Sequence, residues 1–158
     1  MQTPERSKLA LKVPPVVVLL VALIAVYIHD QLFPLGNILG ESRYMLAQVL
    51  FALAVFIAIA GIVSFKRAKT TVNPVQIEKA SSLVTSGMFR ITRNPMYLGM
   101  LLLVIGFAIR LDNPIALIWA VVFQQYMNRF QIFPEERMLA SLFGDAYKNY
   151  MTRVRRWL

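Results

Sequence analysis

Residues 44–65 constrain the fold of this chain more than any other stretch. They form an apolar run of 22 residues that is interrupted only by Gln48, Gly61 and Ser64. An α-helix rises about 1.5 Å per residue, so a run of this length crosses the roughly 30 Å hydrocarbon core of a bilayer. The run predicts a transmembrane helix. The apolar fraction of the whole chain is 58 %, against roughly 45–50 % in soluble domains, which indicates an integral membrane protein.

Three further apolar stretches predict three more spans. The first covers about residues 14–33, and we expect it to be retained because no small-residue cleavage site follows it. The other two, at about 95–110 and 114–129, are short and are separated by turn residues, which is typical of a helical hairpin. Gly99 and Gly106 fall on one face of that hairpin and allow close helix contact. The sequence predicts an all-α integral membrane protein with four transmembrane helices.

The basic residues predict the orientation of these spans. Of the 17 Lys and Arg, all but Arg43 and Arg110 lie in the N-terminal segment, in residues 66–93 or in the tail from residue 129. Because Lys and Arg are enriched on the cytoplasmic side, both termini are expected there, in a bacterial or archaeal inner membrane. The same distribution explains the net charge of +9 as attraction to membrane lipids and not to nucleic acid.

Two polar segments are expected to lie on the cytoplasmic side of this single domain, residues 1–158. They cover residues 66–94 and 130–158. In the second, apolar residues recur at helical spacing among basic ones, which predicts an amphipathic C-terminal helix broken at Gly144. The chain has no cysteine, which excludes a thiolate nucleophile. Because it also has only one histidine, we expect no metal site.

A second feature is the start of the third predicted span. Asn94 is a favourable N-cap residue, and Pro95 fits the first helical position. Arg93 then lies just before the cap and Tyr97 on the first turn, beside N–H groups that attract anions. The residues alone leave open whether this end holds a charged small molecule or is only a helix start.

Glu135 and Glu136 form the third feature, in a chain with only eight acidic residues. They follow Pro134, so they also fit the first turn of a helix, where the dipole stabilises acids. Alternatively, one carboxylate turns inward to pair with Arg93 or with a cationic ligand, while the other stays solvated. Both interpretations are open at this point.

Together these segments resemble a known family. The motifs are Leu83-Val84-Thr85-Ser86-Gly87-x-Phe89, Arg93-Asn94-Pro95-x-Tyr97-x-Gly99, Glu135-Glu136-x-x-Leu139, Phe143-Gly144-x-x-Tyr147-x-x-Tyr150 and Val154-Arg155-Arg156. They are similar, in order and spacing, to the membrane methyltransferases typified by isoprenylcysteine carboxyl methyltransferase and the phospholipid N-methyltransferases. The resemblance covers about residues 71–156.

The resemblance implies an enzyme that uses S-adenosylmethionine. The implied cofactor-binding residues are Ser81, Ser82, Leu83, Val84, Gly87, Phe89, Asn94, Pro95, Met96, Tyr97 and Glu135. The implied catalytic residues are Arg93, Tyr97 and Glu136, and the implied substrate-binding residues are Arg129 and Gln131.

This chain departs from the family pattern at three of those positions. The family usually has His at the position of Asn94 and often Tyr at that of Phe89. The prenyl-protein enzymes have Arg at the position of Gln131, where it would meet the substrate carboxylate. The resemblance to those enzymes is therefore weakest in the substrate-binding residues.

The chemistry of the cofactor agrees with these positions. Its sulfonium and ammonium call for a carboxylate, its carboxylate for N–H donors, and its adenosine for an apolar wall. Methyl transfer depends mainly on alignment and exclusion of water. The expected acceptor is a lipid-like or small amphiphilic molecule; the oligomeric state is left open.

Three alternatives follow. The chain is a non-catalytic membrane scaffold of the same fold, a membrane reductase that uses a nicotinamide cofactor, or a four-span exporter. The exporter is disfavoured, because no ionisable residue lies in the middle of a predicted span, where such transporters need one.

Overall fold

The computed structural model describes residues 11–35, 38–68 and 82–158, and this part of the chain is helical without a β-strand. Five α-helices follow one another along the chain: α1 (Pro15–Leu32), α2 (Ser42–Arg67), α3 (Pro95–Arg110), α4 (Ile118–Met127) and α5 (Phe133–Arg153). Short 3-10 turns, Gly87–Arg90 and Pro114–Leu117, precede α3 and α4, and a π-helical turn, Asn128–Ile132, joins α4 to α5. The all-α prediction is confirmed for these residues.

Two of the helices are long and apolar enough to cross a membrane. They are α1 and α2, which coincide with the stretches predicted at 14–33 and 44–65. α3 is a shorter apolar helix over the residues predicted for the third span. The stretch predicted at 114–129 is a 3-10 turn followed by α4, and the chain continues as helix into α5. The four-span topology stays a prediction.

α2 and α3 pack against each other as an antiparallel pair, because α3 has no side chain at two contact points. A Cβ atom on Gly99 would lie 2.8 Å from the carbonyl oxygen of Ala54, and one on Gly106 would lie 2.7 Å from the ring of Phe51. At the other end of the pair, Gly61 of α2 faces the ring of Pro95. The predicted close helix contact at Gly99 and Gly106 is confirmed.

The apolar core lies between α1, α3 and α4. Its buried residues include Val26 on α1, Val104 and Ala108 on α3, and Phe123 and Met127 on α4. The opposite faces of α1 and α4 are apolar and exposed, as a lipid-facing surface would be, and α2 also carries exposed apolar side chains. A second apolar cluster lies apart from this core, around the 3-10 turn before α3 and the C-terminal half of α5.

A buried polar turn closes the end of α3 that lies away from Pro95. Asp112 has a left-handed backbone with φ of 60° and is buried. Its carboxylate accepts hydrogen bonds from the backbone N–H groups of Ile38 and Leu39, and Arg43 lies 3.5 Å away. This turn therefore fixes the segment before α2 against the end of α3.

The predicted break of the C-terminal helix at Gly144 is confirmed. This residue has φ of 51° and ψ of −126° inside α5, which favours glycine. The helix changes direction there, and its second half carries Tyr147 and Tyr150 towards the 3-10 turn before α3.

Candidate active site

The start of α3 is where several of the predicted site residues lie. α3 begins at Pro95 with Asn94 directly before it, as predicted, but the expected side-chain cap is wrong. The Asn94 side chain instead donates a 2.9 Å hydrogen bond from Nδ2 to the carbonyl oxygen of Arg156. The hydroxyl of Thr92 donates to the same carbonyl at 3.1 Å. The first turn of α3 is therefore tied to the end of the chain.

We call residues 154–157 the C-terminal strap, because they lie along the segment that leads into α3. Thr92 and Arg155 form an isolated parallel bridge, and the backbone N–H of Arg93 donates to the carbonyl of Arg155 at 3.0 Å. The strap is anchored beyond this point by Trp157, whose indole N–H donates to Asn128 Oδ1 at 3.0 Å. The strap thus links the start of α3 to the π-helical turn after α4.

Glu136 lies between two arginines. Arg156 donates to both carboxylate oxygens, from Nε to Oε1 at 3.0 Å and from Nη2 to Oε2 at 2.7 Å. Arg93 contacts Oε1 through its Nη2 at 3.2 Å. The Glu136 side chain is only 12 % exposed, so the expectation that one acid of the pair stays solvated is wrong. Both acids lie in the first turn of α5, yet each also has a specific partner.

Glu135 pairs with a phenol and not with Arg93. The hydroxyl of Tyr97 donates to Glu135 Oε1 at 2.5 Å. Burial, together with the neighbouring charge of Glu136, raises the pKa of Glu135 to about 8, against the opposing effect of this hydrogen bond. Near neutral pH the carboxyl is therefore largely protonated, and it becomes ionised readily when a cation arrives beside it.

Arg93 keeps hydrogen-bonding capacity that its surroundings do not use. Its side chain is 10 % exposed, and its Nε and Nη1 atoms have no hydrogen-bond acceptor among the described residues. A buried guanidinium with free N–H groups is costly unless a ligand or water supplies an acceptor. The residues around it therefore suit a ligand that carries both a negative and a positive group.

An apolar wall adjoins this polar cluster. Val84 and Phe89 are buried in it and Leu83 packs against it. The ring of Phe89 meets that of Phe65 edge-on, with centroids 5.0 Å apart, and its carbonyl accepts a 2.6 Å hydrogen bond from Tyr150. These contacts fix the wall without using the polar groups of Arg93 or Glu135.

Small residues of the predicted site have local structural contacts. Gly87 has φ of 61°, and a Cβ atom there would lie 2.5 Å from the hydroxyl of Ser64. Ser82 donates its hydroxyl hydrogen to the carbonyl of Ala68 at 3.2 Å. Pro95 and Met96 lie against Gly61 of α2. Ser81 lies outside the described residues.

The two predicted substrate-binding residues lie on the π-helical turn and differ in exposure. Arg129 is exposed. Gln131 is 1 % exposed, and its amide donates to the carbonyl of Val13. Because Leu11 also donates to the carbonyl of Phe130 at 3.0 Å, the segment before α1 is fastened to this turn.

Four residues that shape the site were given no site role from the sequence: Thr92, Tyr147, Tyr150 and Arg156. The last three belong to motifs that carry the family resemblance. Burial raises the pKa of Tyr147 to about 12, the charge of Glu136 adds to this, and Arg93 opposes it. Tyr147 and Tyr150 stand three residues apart on one helix face, which is a readable signal. No spacing rule predicts the pairing of Arg156 with Glu136, because it requires the chain to fold back after α5.

The fold and the site define a class: an all-helical protein with membrane-type apolar helices and a buried cluster of acids, arginines and tyrosines at one end. The sequence profile of the phospholipid methyltransferase family matches residues 42–146. The chain therefore belongs to the phospholipid methyltransferase family of membrane methyltransferases.

Three individual relatives are similar to parts of this chain, and two of them are named methyltransferases. An uncharacterized protein of Haemophilus influenzae is 43 % identical over 63 residues, which is 40 % of this chain and all of that protein. Protein-S-isoprenylcysteine O-methyltransferase B of Arabidopsis thaliana is 35 % identical over 95 residues, 60 % of this chain and 48 % of the relative. The Schizosaccharomyces pombe protein-S-isoprenylcysteine O-methyltransferase is 33 % identical over 73 residues, 46 % of this chain and 30 % of the relative. The chain thus spans about half, or less, of these two methyltransferases.

Proposed function

We propose that this protein is an S-adenosylmethionine-dependent methyltransferase that acts on a lipid-like or small amphiphilic acceptor at the cytoplasmic face of a membrane. The observation that carries the proposal is the Tyr97–Glu135 pair, a carboxyl buried beside the apolar wall and held by a phenol. A buried carboxyl with a pKa raised to about 8 suits a ligand that brings its own positive charge, because that charge favours the ionised form.

The cofactor, when bound, supplies an activated methyl group on a sulfonium. Glu135 offers the carboxylate that a cationic ligand requires, and Tyr97 orients it through its hydrogen bond. Val84 and Phe89 offer an apolar surface for a flat aromatic group such as adenine. Since methyl transfer needs mainly alignment and a dry site, these residues act by holding and by excluding water. Glu136, committed to two arginines, holds Arg93 in place.

The proposed topology puts α1, α2, α3 and α4 across the membrane, with residues 66–94 and 130–158 on the cytoplasmic side, over the cofactor. Three hydrogen bonds support placing both termini at the same end as the site. Leu11 and Val13 are hydrogen-bonded to the π-helical turn, and the C-terminal strap is bonded to that turn through Trp157. Exposed apolar side chains along α1, α2 and α4 leave a surface for lipid, through which an amphiphilic acceptor would enter.

The test is a calorimetric titration of the detergent-purified protein with S-adenosylhomocysteine, beside Glu135→Gln and the exposed control Glu41→Gln. We expect micromolar-range binding in the wild type and in Glu41→Gln, and a loss of about tenfold or more in Glu135→Gln. Unchanged affinity in Glu135→Gln would reject the role of this carboxyl.

A second arm separates the enzyme from the other interpretations. A wild type that is folded by circular dichroism and binds no S-adenosylhomocysteine would favour the scaffold. Binding of a reduced nicotinamide cofactor instead would favour the reductase. A screen with methyl-labelled S-adenosylmethionine over lipids and small amphiphiles then identifies the acceptor.

A further inference from the structure

The guanidinium of Arg93 is only partly satisfied by the fold. One nitrogen, Nη2, contacts Glu136 Oε1 at 3.2 Å, and the Tyr147 hydroxyl is a second neighbour of the guanidinium. The other two, Nε and Nη1, have no acceptor among the described residues, although the side chain is nine-tenths buried. An arginine in such a place is stabilised by an acceptor, and most strongly by an anion.

Arg156 explains why Arg93 remains available. It binds Glu136 through two nitrogens at 3.0 and 2.7 Å, both shorter than the single contact from Arg93. The arginine that is better paired with Glu136 is therefore the one on the C-terminal strap. Two guanidiniums share one carboxylate, so the cluster has a surplus positive charge, and Arg93 is the less completely paired of the two.

The strap holds Arg156 in this position from both sides. The backbone carbonyl of Arg156 accepts hydrogen bonds from Thr92 and Asn94. The Arg156 guanidinium lies over the ring of Phe133, 4.4 Å from the ring centroid. Trp157 anchors the strap one residue further on. Arg156 is thus fixed relative to α3 and α5 without any contribution from Arg93.

We propose that the free N–H groups of Arg93 bind the methionyl carboxylate of the cofactor, and that Arg156 is a positioning residue that keeps Arg93 free by occupying Glu136. This rests on the proposed function and adds the recognition of the amino-acid end of the cofactor. That end carries an ammonium and a carboxylate on one carbon. The carboxyl of Glu135 is complementary to the ammonium, and the free N–H groups of Arg93 are complementary to the carboxylate. The two protein groups lie close together, because Tyr97 and Arg93 at the start of α3 contact adjacent acids of α5.

The first experiment combines a change in the ligand with a change in the protein. Wild type, Arg93→Met and the exposed control Arg90→Met are titrated with S-adenosylhomocysteine and with its decarboxylated aminopropyl thioether analogue. We expect wild type and Arg90→Met to prefer S-adenosylhomocysteine by about tenfold or more. Arg93→Met should bind both ligands with equal, weak affinity, because the carboxylate has lost its partner.

The outcomes separate this proposal from the function on which it rests. If Arg93→Met keeps the full preference of the wild type, the carboxylate is bound elsewhere and the proposal fails while the function stands. If the folded wild type binds neither ligand, both fail.

The second experiment tests the positioning role of Arg156 with Arg156→Met, Arg156→Lys and the exposed strap control Arg155→Met. Without Arg156, we expect Glu136 to engage Arg93 fully, so the preference for S-adenosylhomocysteine should disappear while affinity for the decarboxylated analogue is kept. Arg156→Lys should keep part of the preference for S-adenosylhomocysteine. The control Arg155→Met should keep all of it. Equal weakening of both ligands, or an unchanged preference in Arg156→Met, would overturn the positioning role.

Discussion

Tyr97 at the start of α3 and Glu135 at the start of α5 are joined by a 2.5 Å hydrogen bond in which the phenol donates to the carboxyl. This contact connects two parts of the chain that are 38 residues apart. It also fixes the one carboxyl of the site that is not committed to an arginine. The behaviour of Glu135 should therefore control both ligand binding and stability.

Cofactor binding should strengthen as the pH rises towards the pKa of Glu135. Because this pKa is raised to about 8, the carboxyl of the free protein is mostly neutral at pH 6, and it must lose its proton to pair with the ammonium group of the ligand. We expect the affinity for S-adenosylhomocysteine to increase between pH 6 and pH 8, by up to about tenfold per pH unit, and then to level off. Calorimetric titrations across this range measure the slope.

Two comparisons make this pH dependence specific to Glu135. In Glu135→Gln the slope should vanish, because the amide does not titrate. At pH 7 the wild type should also release protons on binding, which is seen as a dependence of the binding enthalpy on the ionisation enthalpy of the buffer. A slope that persists in Glu135→Gln would assign it to another group.

The same carboxyl should lower the stability of the ligand-free protein at higher pH. The folded protein holds the proton of Glu135 at pH values where the unfolded chain, with a pKa near 4.5, has lost it. Its contribution to stability is therefore complete below about pH 4.5 and is lost as the pH rises towards 8. We expect Glu135→Gln to unfold about 2–4 °C or more above the wild type at pH 8, and at nearly the same temperature at pH 5, by circular dichroism. A lower unfolding temperature for Glu135→Gln at both pH values would mean that the charge supports the fold.

The sequence predicted the helices better than the contacts between them. The apolar run at 44–65, the start of α3 at Pro95, the close contact at Gly99 and the break at Gly144 all follow from local rules, and the structure has each of them. Hydrophobic length, proline geometry and glycine freedom act within a few residues, so they are readable in one sequence.

The sequence predicted which segments form the site but not which side chains pair within it. The sequence brought Arg93, Tyr97, Glu135 and Glu136 into consideration but left their pairing open, and the structure pairs Tyr97 with Glu135 and Arg93 with Glu136. That choice depends on the path of the strap, which brings Arg156 to Glu136 from 20 residues away. A contact made by chain return has no local signature.

Substitutions of Asn94 test the C-terminal strap. Asp, which normally favours a helix N-cap, should here lower the stability of the protein. Asn94 donates to the carbonyl of Arg156, and Ala would lose this bond at a cost of about 1 kcal/mol. Asp is as favourable as Asn at a helix N-cap, but its carboxylate would face that carbonyl oxygen. We expect Asn94→Asp to unfold at a lower temperature than Asn94→Ala in circular dichroism melts. An Asp variant as stable as wild type would show that the side chain can cap α3 and that the strap bond is dispensable.

The α2–α3 contact should distinguish two glycines that look alike in the sequence. A methyl group on Gly99 would lie 2.8 Å from the backbone oxygen of Ala54, which cannot move without shifting α2, whereas one on Gly106 meets the ring of Phe51, which can rotate. Alanine also favours a helix over glycine by roughly 0.5–1 kcal/mol, which offsets part of any clash. We expect Gly99→Ala to destabilise the protein by about 1–3 kcal/mol and Gly106→Ala to be close to neutral, in circular dichroism melts in one detergent. Equal effects of the two substitutions would contradict this. They would mean that α2 moves away from Gly99 as easily as the ring of Phe51 rotates away from Gly106, so the backbone contact at Ala54 does not hold α3 in place.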